Sequence, residues 1–250
     1  FFLGDNDESD QLTFSHSLYG RGDEIGILQK NFFRANEGDK EILVVHGVSG
    51  VGKSSVIREL IPTVSQQKAI FVSGKFDQFK VDQAYSGLLD ALGELIDQML
   101  SLDEDKLWQW ENKIKEVLGL DAELMTRLIP KLGLILGQNS DVPQNDPEYG
   151  AQFNSLLLRL FKALCSPDRT VVMFLDDLQW ADIATVKVLQ EIFLESGLKN
   201  LMIILSFRDN EVPEEHPLRE MLKKVEQQGQ FIDYLPLEPL KKHSIVSMLK

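Results

Sequence analysis

The stretch EILVVHGVSGVGKSS, residues 41–55, decides the fold. It begins with an aliphatic run that is apolar on both faces, as in strands buried within parallel sheets. The run ends at Gly47, and Gly47, Gly52, Lys53 and Ser54 match the spacing G-x-x-x-x-G-K-[ST]. Helical spacing follows in KSSVIRELIPTV, with an interruption at its proline. The stretch therefore predicts a strand, a glycine-rich turn and a helix in direct succession.

This spacing is typical of a phosphate-binding loop. Glycines let the backbone turn back, so that successive N–H groups point into one concavity, and the next helix directs its positive end there. Lys53 is expected to reach the β- and γ-phosphates of a nucleotide, and the Ser54 hydroxyl to ligate Mg²⁺. A glycine-rich turn that only caps a helix is the alternative interpretation. The predicted nucleotide contacts of the loop are Gly47, Ser49, Gly50, Val51, Gly52, Lys53, Ser54 and Ser55.

A second stretch, VVMFLDDLQWAD at residues 171–182, places two adjacent aspartates directly after an apolar run. Neighbouring buried carboxylates are costly, and a dication beside them removes the repulsion. In a phosphate-loop architecture, Asp176 is predicted to hold Mg²⁺, and Asp177 to orient or deprotonate the attacking water. A cap or turn after a strand is the alternative for this pair. We interpret Trp180 as a packing anchor and Asp182 as a helix N-cap.

Apolar runs that alternate with helical patterns predict an α/β fold, in which helices sandwich a parallel five-stranded sheet. One strand precedes the acid-bearing strand and follows the phosphate loop, which is the ATPase arrangement with an additional strand and an expected order of 5-1-4-3-2. A long helical insertion, about 83–166, separates strands 2 and 3, and it packs either as a separate lobe or against the sheet. The predicted strands are 41–47, 68–74, 170–176, 200–207 and 230–236.

The fourth predicted strand ends in Ser-Phe-Arg-Asp, and Arg208 lies at its tip. A positive group at this position is expected near the γ-phosphate, so Arg208 is a candidate sensor. A surface arginine paired with Asp209 is the alternative. The predicted catalytic residues are Lys53, Asp177 and Arg208.

Composition and missing motifs narrow the function classes. A net charge of −13 repels nucleic acid unless a local basic patch exists, and the sequence contains none. The single cysteine, Cys165, excludes a disulfide framework and favours a reducing, cytoplasmic compartment. No apolar run is long enough to span a membrane. The guanine-specific N-K-x-D motif is absent, which disfavours GTP, and the protein-kinase motifs H-R-D and D-F-G are absent too.

Six stretches together resemble one known family. They are LYGRGDEIGIL, HGVSGVGKSSVIREL, FVSGKFDQF, FLDDLQWAD, ILSFRDNEV and LPLEPL, in this order. The chain resembles, over residues 18–250, the AAA-type, origin-recognition-like ATPase domain of the STAND class of P-loop NTPases. More narrowly, it is similar to the module of large hybrid signalling proteins that combine a serine/threonine kinase-like region with sensor histidine kinase domains.

The resemblance implies ATP or ADP with Mg²⁺, a helical lid after the core, and a switch role in signalling. The implied partners are the other domains of the parent polypeptide and signalling proteins. Arg208 matches the family's sensor arginine. The family's entry motif, which lies near the adenine, is matched by Tyr19, Gly20 and Arg21. The GKFDQ segment, which either lines the nucleotide site or only turns the chain, is matched by Lys75, Asp77 and Gln78.

The chain is divided into an acidic linker at 1–17, the ATPase core at 18–239, and the start of a truncated lid at 240–250. Because the chain begins without Met and stops within an apparent helix, we interpret it as part of a longer polypeptide. The predicted function is an ATP-binding regulatory switch with slow Mg-dependent hydrolysis, since the lid and an arginine donor are missing. The alternatives are a nucleotide-holding scaffold without significant turnover and, less favoured by the charge, a replication-type DNA ATPase.

Overall fold

Five parallel strands form one sheet at the centre of the molecule, and the computed structural model describes residues 20–80, 83–137, 150–166 and 169–240 around it. The strands are β1 Lys40–Gly47, β2 Ile70–Lys75, β3 Val171–Asp176, β4 Leu201–Arg208 and β5 Asp233–Pro236. The strand order is β2-β3-β4-β1-β5, which is the expected 5-1-4-3-2 read from the opposite edge. The predicted fold class is therefore confirmed, including the additional strand between the phosphate loop and the acids.

Helices cover both faces of this sheet. Pro62, Pro130 and Pro217 stand in the first turns of three helices, where a missing N–H group costs nothing. Pro130 thus begins a new helix shortly after the preceding helix ends at Leu128. The described α-helices are α1 Gly22–Asn36, α2 Lys53–Arg58, α3 Ile61–Gln66, α4 Ser86–Leu100, α5 Glu104–Leu118, α6 Ala122–Leu128, α7 Pro130–Leu136, α8 Gly150–Leu164, α9 Ile183–Leu194 and α10 Pro217–Gln227.

One face of the sheet packs against α1, α2 and α3. Its apolar cluster joins helix residues such as Phe32 and Ile57 to strand residues such as Leu43, Phe174 and Ile204. Strand residues on this face alternate with residues on the other, as the pleat of a β-strand requires. The phosphate loop leads directly into α2, which packs on this face of the sheet.

The opposite face packs against α4–α10. Residues of the helical insertion, such as Leu92 and Phe161, belong to the same buried apolar cluster as Val72 and Met173 of the sheet. The insertion therefore lies against the sheet and shares its core, which decides between the two packings that the sequence left open.

Helix α4 also closes one edge of the sheet. The Ser73 N–H group of β2 donates to Glu94 Oε2 at 2.6 Å, and Gln98 Nε2 donates to the Phe71 carbonyl oxygen at 2.7 Å. Glu94 and Gln98 are one helical turn apart, so they face the same strand. Their side chains occupy backbone groups that an edge strand otherwise offers to another chain.

Two predicted segments lie outside the described residues: the linker at 1–17 and nearly all of the lid at 240–250. Within the described ranges, no helix combines the length and apolar character that crossing a membrane requires.

Candidate nucleotide-binding site

The phosphate loop connects β1 to α2 through glycines in left-handed conformations. Gly50 has a φ of 76° and Gly52 a φ of 96°, a region that residues with a Cβ rarely adopt. Gly47 is restricted in a different way, because a Cβ there would lie 2.4 Å from the Leu237 carbonyl oxygen. Ser49 is exposed on the loop. The backbone path thus requires glycine at the positions that the motif specifies.

Lys53 lies inside the curve of this loop. Its Nζ donates to the carbonyl oxygens of Gly47 and Val48, both at 3.0 Å, and the residue is 8% exposed. Burial lowers the pKa of Lys53, and the nearby Asp176 carboxylate opposes that shift. The ammonium group therefore occupies the concavity that the loop forms. Ser55 is exposed in the first turn of α2.

Ser54 and Asp176 meet across the sheet edge. The Ser54 hydroxyl donates to Asp176 Oδ2 at 2.7 Å, although 122 positions separate the two residues. A hydroxyl and a carboxylate are hard oxygen ligands, and Mg²⁺ takes one or two protein ligands beside phosphate and water. These two residues fit that ion. No cluster of three or more His, Cys, Asp or Glu side chains that could hold a metal ion occurs among the described residues.

Asp177 follows in a left-handed conformation, with φ 56° and ψ 44°, and is 8% exposed. Lys75 Nζ lies 3.1 Å from its Oδ2, while Arg208 Nε lies 3.4 Å from its Oδ1. Gln179 Nε2 donates to Oδ1 at 2.9 Å. Burial would raise the pKa of Asp177, but the hydrogen bonds from Gln179 and Lys75 and the two positive charges outweigh burial and lower it. Asp177 is thus an ionised carboxylate held by two cations and an amide.

Arg208 pairs with Glu211 rather than with Asp209. Its NH1 donates to Glu211 Oε1 at 2.9 Å, and this hydrogen bond is the main reason that its pKa is raised. Asp209 instead accepts from His46 Nδ1 at 2.9 Å and lies 3.8 Å from Arg219. The alternative interpretation, a surface arginine paired with Asp209, is therefore not the pairing that the structure shows.

The entry motif is described only in part, because Tyr19 lies outside the described residues. Gly20 has a φ of 74°. Arg21 is buried, and its NH2 donates to the carbonyl oxygens of Val51 at 3.1 Å and Glu238 at 2.8 Å. Arg21 thus ties the phosphate loop to the segment after β5.

Two site residues were missed or left without a role by sequence reasoning. Lys75 was given no role, yet it stands at the end of β2, in register with Asp176 of β3. Gln179 was not singled out at all. The predicted strand order could have placed Lys75 near the aspartates, because β2 and β3 are adjacent and end at the same edge of the sheet. The rest of the GKFDQ segment turns the chain, with Asp77 Oδ1 accepting from the Phe79 N–H group at 2.9 Å.

The profile of the AAA ATPase domain family matches residues 17–204. The chain belongs to this family. Its relatives include hybrid signal transduction histidine kinase G of Dictyostelium discoideum, which is 32% identical over 198 residues, or 79% of this chain. Histidine protein kinase 1 of Candida albicans is 23% identical over 186 residues, or 68% of this chain. The chain spans 6% of the first relative's length and 7% of the second's.

Among solved structures, Cdc6p from Pyrobaculum aerophilum matches with a TM-score of 0.52 at 14% identity. The match covers 96% of this chain and 50% of that one. At this level of identity, the similarity shows the fold alone. The AAA-type resemblance is confirmed by the family match, and the kinship with histidine kinases agrees with it.

Proposed function

We propose that this chain is an ATP-binding module that hydrolyses ATP slowly and acts as a nucleotide-dependent switch within a larger signalling protein. This proposal is supported by one observation: four side chains lie close together at the carboxyl edge of one parallel sheet, namely Lys53, Ser54, Asp176 and Asp177. These residues come from two distant stretches, and together they form a complete set for phosphate binding and water activation.

We propose the following role for each side chain of the site in nucleotide binding and hydrolysis. Lys53 binds the β- and γ-phosphates beside the loop N–H groups, and Ser54 with Asp176 would hold Mg²⁺. The ion would neutralise part of the phosphate charge when it is bound. Asp177 orients the attacking water, and Arg208 stabilises charge that develops on the γ-phosphate. Gly20 and Arg21, with Tyr19, border the adenine.

Slow turnover is supported by the surroundings of Asp177. Its carboxylate is engaged by Lys75 and Arg208, so water has to compete with two cations for its oxygens. A lowered pKa also makes the carboxylate a weak proton acceptor. We therefore expect Asp177 to orient water rather than to remove its proton fully before attack.

The switch role and its setting rest on the relatives. Two of them are named histidine kinases, and this chain corresponds to a small part of each. We propose that the chain belongs to the STAND class and that its partners are the neighbouring domains of such a polypeptide.

A cytoplasmic setting accords with Cys165, which is buried, with its pKa raised by burial to about 12. Such a thiol is unreactive and serves packing.

The second candidate is a nucleotide-holding scaffold without significant turnover. The same pairing of Asp177 with two cations favours it, since a carboxylate that remains paired cannot orient water. A replication-type DNA ATPase is disfavoured by the net charge of −13.

Calorimetric titration with Mg-ATP, Mg-ADP and Mg-GTP, followed by a phosphate-release assay, separates these functions. Micromolar ATP binding, weak GTP binding and slow phosphate release are expected of the switch. ATP binding without phosphate release would identify the scaffold. Absence of binding to all three nucleotides would contradict both.

A further inference from the structure

The Gln179 side chain is bonded at both ends of its amide group. Its Nε2 donates to Asp177 Oδ1 at 2.9 Å, and its Oε1 accepts from the Arg208 backbone N–H group at 3.3 Å. Gln179 is 7% exposed, so these two bonds are made inside the protein. Because one end must donate and the other must accept, the amide can satisfy both partners in one orientation only.

The backbone at Gln179 is fixed as well. The residue lies in a single 3₁₀ turn, Leu178–Trp180, whose Trp180 N–H group donates to the Asp177 carbonyl oxygen at 3.0 Å. Gln179 is therefore a rigid support that joins the turn after β3 to the end of β4.

The three donors around the Asp177 carboxylate differ in one respect. Lys75 and Arg208 carry positive charges, and their side chains are 68% and 31% exposed, whereas Gln179 is neutral and buried. A nucleotide's γ-phosphate attracts the two cations and exerts no comparable pull on a neutral amide. When the cations turn towards phosphate, the amide remains as the group that holds Oδ1.

We propose that Gln179 is a positioning residue, which fixes the Asp177 carboxylate relative to Arg208 while a nucleotide is hydrolysed. The inference rests on the proposed ATPase function and adds a residue that none of the sequence motifs assigns to the reaction. Gln179 does not touch the phosphates in this role. It sets the direction of Oδ1, so that Oδ2 faces the water.

Two variants test the role in the purified chain. Gln179→Leu removes both hydrogen bonds, and Gln179→Glu keeps an acceptor for Arg208 but places a second carboxylate beside Asp177. We expect kcat for phosphate release to fall about tenfold or more in each, because small misplacements of a catalytic group cost up to a hundredfold. The dissociation constant of Mg-ATP should stay within about twofold of the unmodified chain.

Gln98→Leu is the matched control. Gln98 is a half-buried amide, and its Nε2 donates to the Phe71 carbonyl oxygen near the start of β2, away from the site. We expect this variant to keep kcat while it loses a comparable hydrogen bond. An equal fall of kcat in Gln98→Leu and Gln179→Leu would overturn the specific role of Gln179.

A combined variant tests the contact without any turnover. Gln179→Glu should lower the melting temperature through carboxylate repulsion, and adding Asp177→Asn should restore it, because the new amide can donate to the new carboxylate. A melting temperature that is not restored would overturn the contact itself.

If the unmodified chain hydrolyses ATP and Gln179→Leu matches it, the positioning role is wrong and the proposed function stands. If the unmodified chain releases no phosphate, the hydrolytic function is wrong and this role falls with it.

Discussion

The phosphate loop and the helical insertion, α4–α8, contact opposite faces of the same sheet and are held in different ways. The loop depends on backbone conformations and a few polar contacts, such as those of Gly52 and Lys53. The insertion depends on shared apolar packing and on the close approach of α4 to β2. This difference indicates that nucleotide binding and the stability of the fold depend on largely separate residues. Changes at the loop should abolish binding in a folded chain, and changes under α4 should unfold a chain whose motif is intact.

The close approach of α4 gives the largest expected effect. A Cβ at Gly74 would lie 1.7 Å from the Gly87 carbonyl oxygen, and backbone atoms cannot move aside cheaply. We expect Gly74→Ala to lower the free energy of unfolding by about 3 kcal/mol or more, measured by urea denaturation. Gly26→Ala, in the exposed part of α1 with nothing within 4 Å, is the control and should be neutral or stabilising. Equal stability of the two variants would contradict the packing of α4.

Lys53→Ala should produce the converse result. Its ammonium donates to two loop carbonyl oxygens, so the fold should persist while ATP affinity falls about thirtyfold or more, as when a buried charge partner is removed. Calorimetry measures the affinity, and circular dichroism checks the fold. Lys187→Ala, on the exposed side of α9, is the matched control. Unchanged ATP affinity in Lys53→Ala would refute the phosphate-loop assignment.

Asp177→Asn separates binding from turnover within the site. The amide keeps the shape of the carboxylate but cannot orient water in the same way, so phosphate release should fall about a hundredfold or more. ATP binding, followed by calorimetry, should persist. Hydrolysis at the normal rate would show that another residue positions the water.

Asp182→Ala should weaken the attachment of the insertion by a smaller amount. Asp182 caps α9 through the Thr185 N–H group at 2.9 Å, and its Oδ2 accepts from the Tyr85 N–H group before α4 at 2.9 Å. We expect a loss of about 1–2 kcal/mol in thermal unfolding. Asp103→Ala removes an exposed cap on α5 together with an exposed ion pair to Lys106 of the same helix, and it should cost less. A larger loss in Asp103→Ala would contradict the tether to Tyr85.

His216 gives the smallest expected effect, and it depends on pH. Burial lowers its pKa from 6.5, the polar backbone of Gln179 opposes this shift, and the charge of Arg219 adds to it. As the pH falls below 6.5, the unfolded chain binds a proton before the folded chain does, so stability falls. His216→Asn keeps an N-cap acceptor without titrating, and its stability should decline less over this range. Parallel declines in urea denaturation would contradict this role for His216.

Much of the fold and part of the site could be predicted from the sequence. Strand order followed from one extra apolar run between the phosphate loop and the acids, and the structure confirms it. The N-cap interpretation of Asp182 and the packing interpretation of Trp180 also agree with the structure. These inferences depend on spacing within one stretch of chain, where covalent geometry limits the possible arrangements.

Only the tertiary structure decided which distant groups meet. It brought Ser54 to Asp176, paired Arg208 with Glu211, and surrounded Asp177 with Lys75 and Gln179. It also laid the insertion against the sheet. Such contacts depend on strand register, helix packing and side-chain rotamers acting together. A motif determines which chemical groups are available. Packing between segments that are remote in the sequence determines which of these groups contact one another, as Lys75 and Gln179 contact the Asp177 carboxylate.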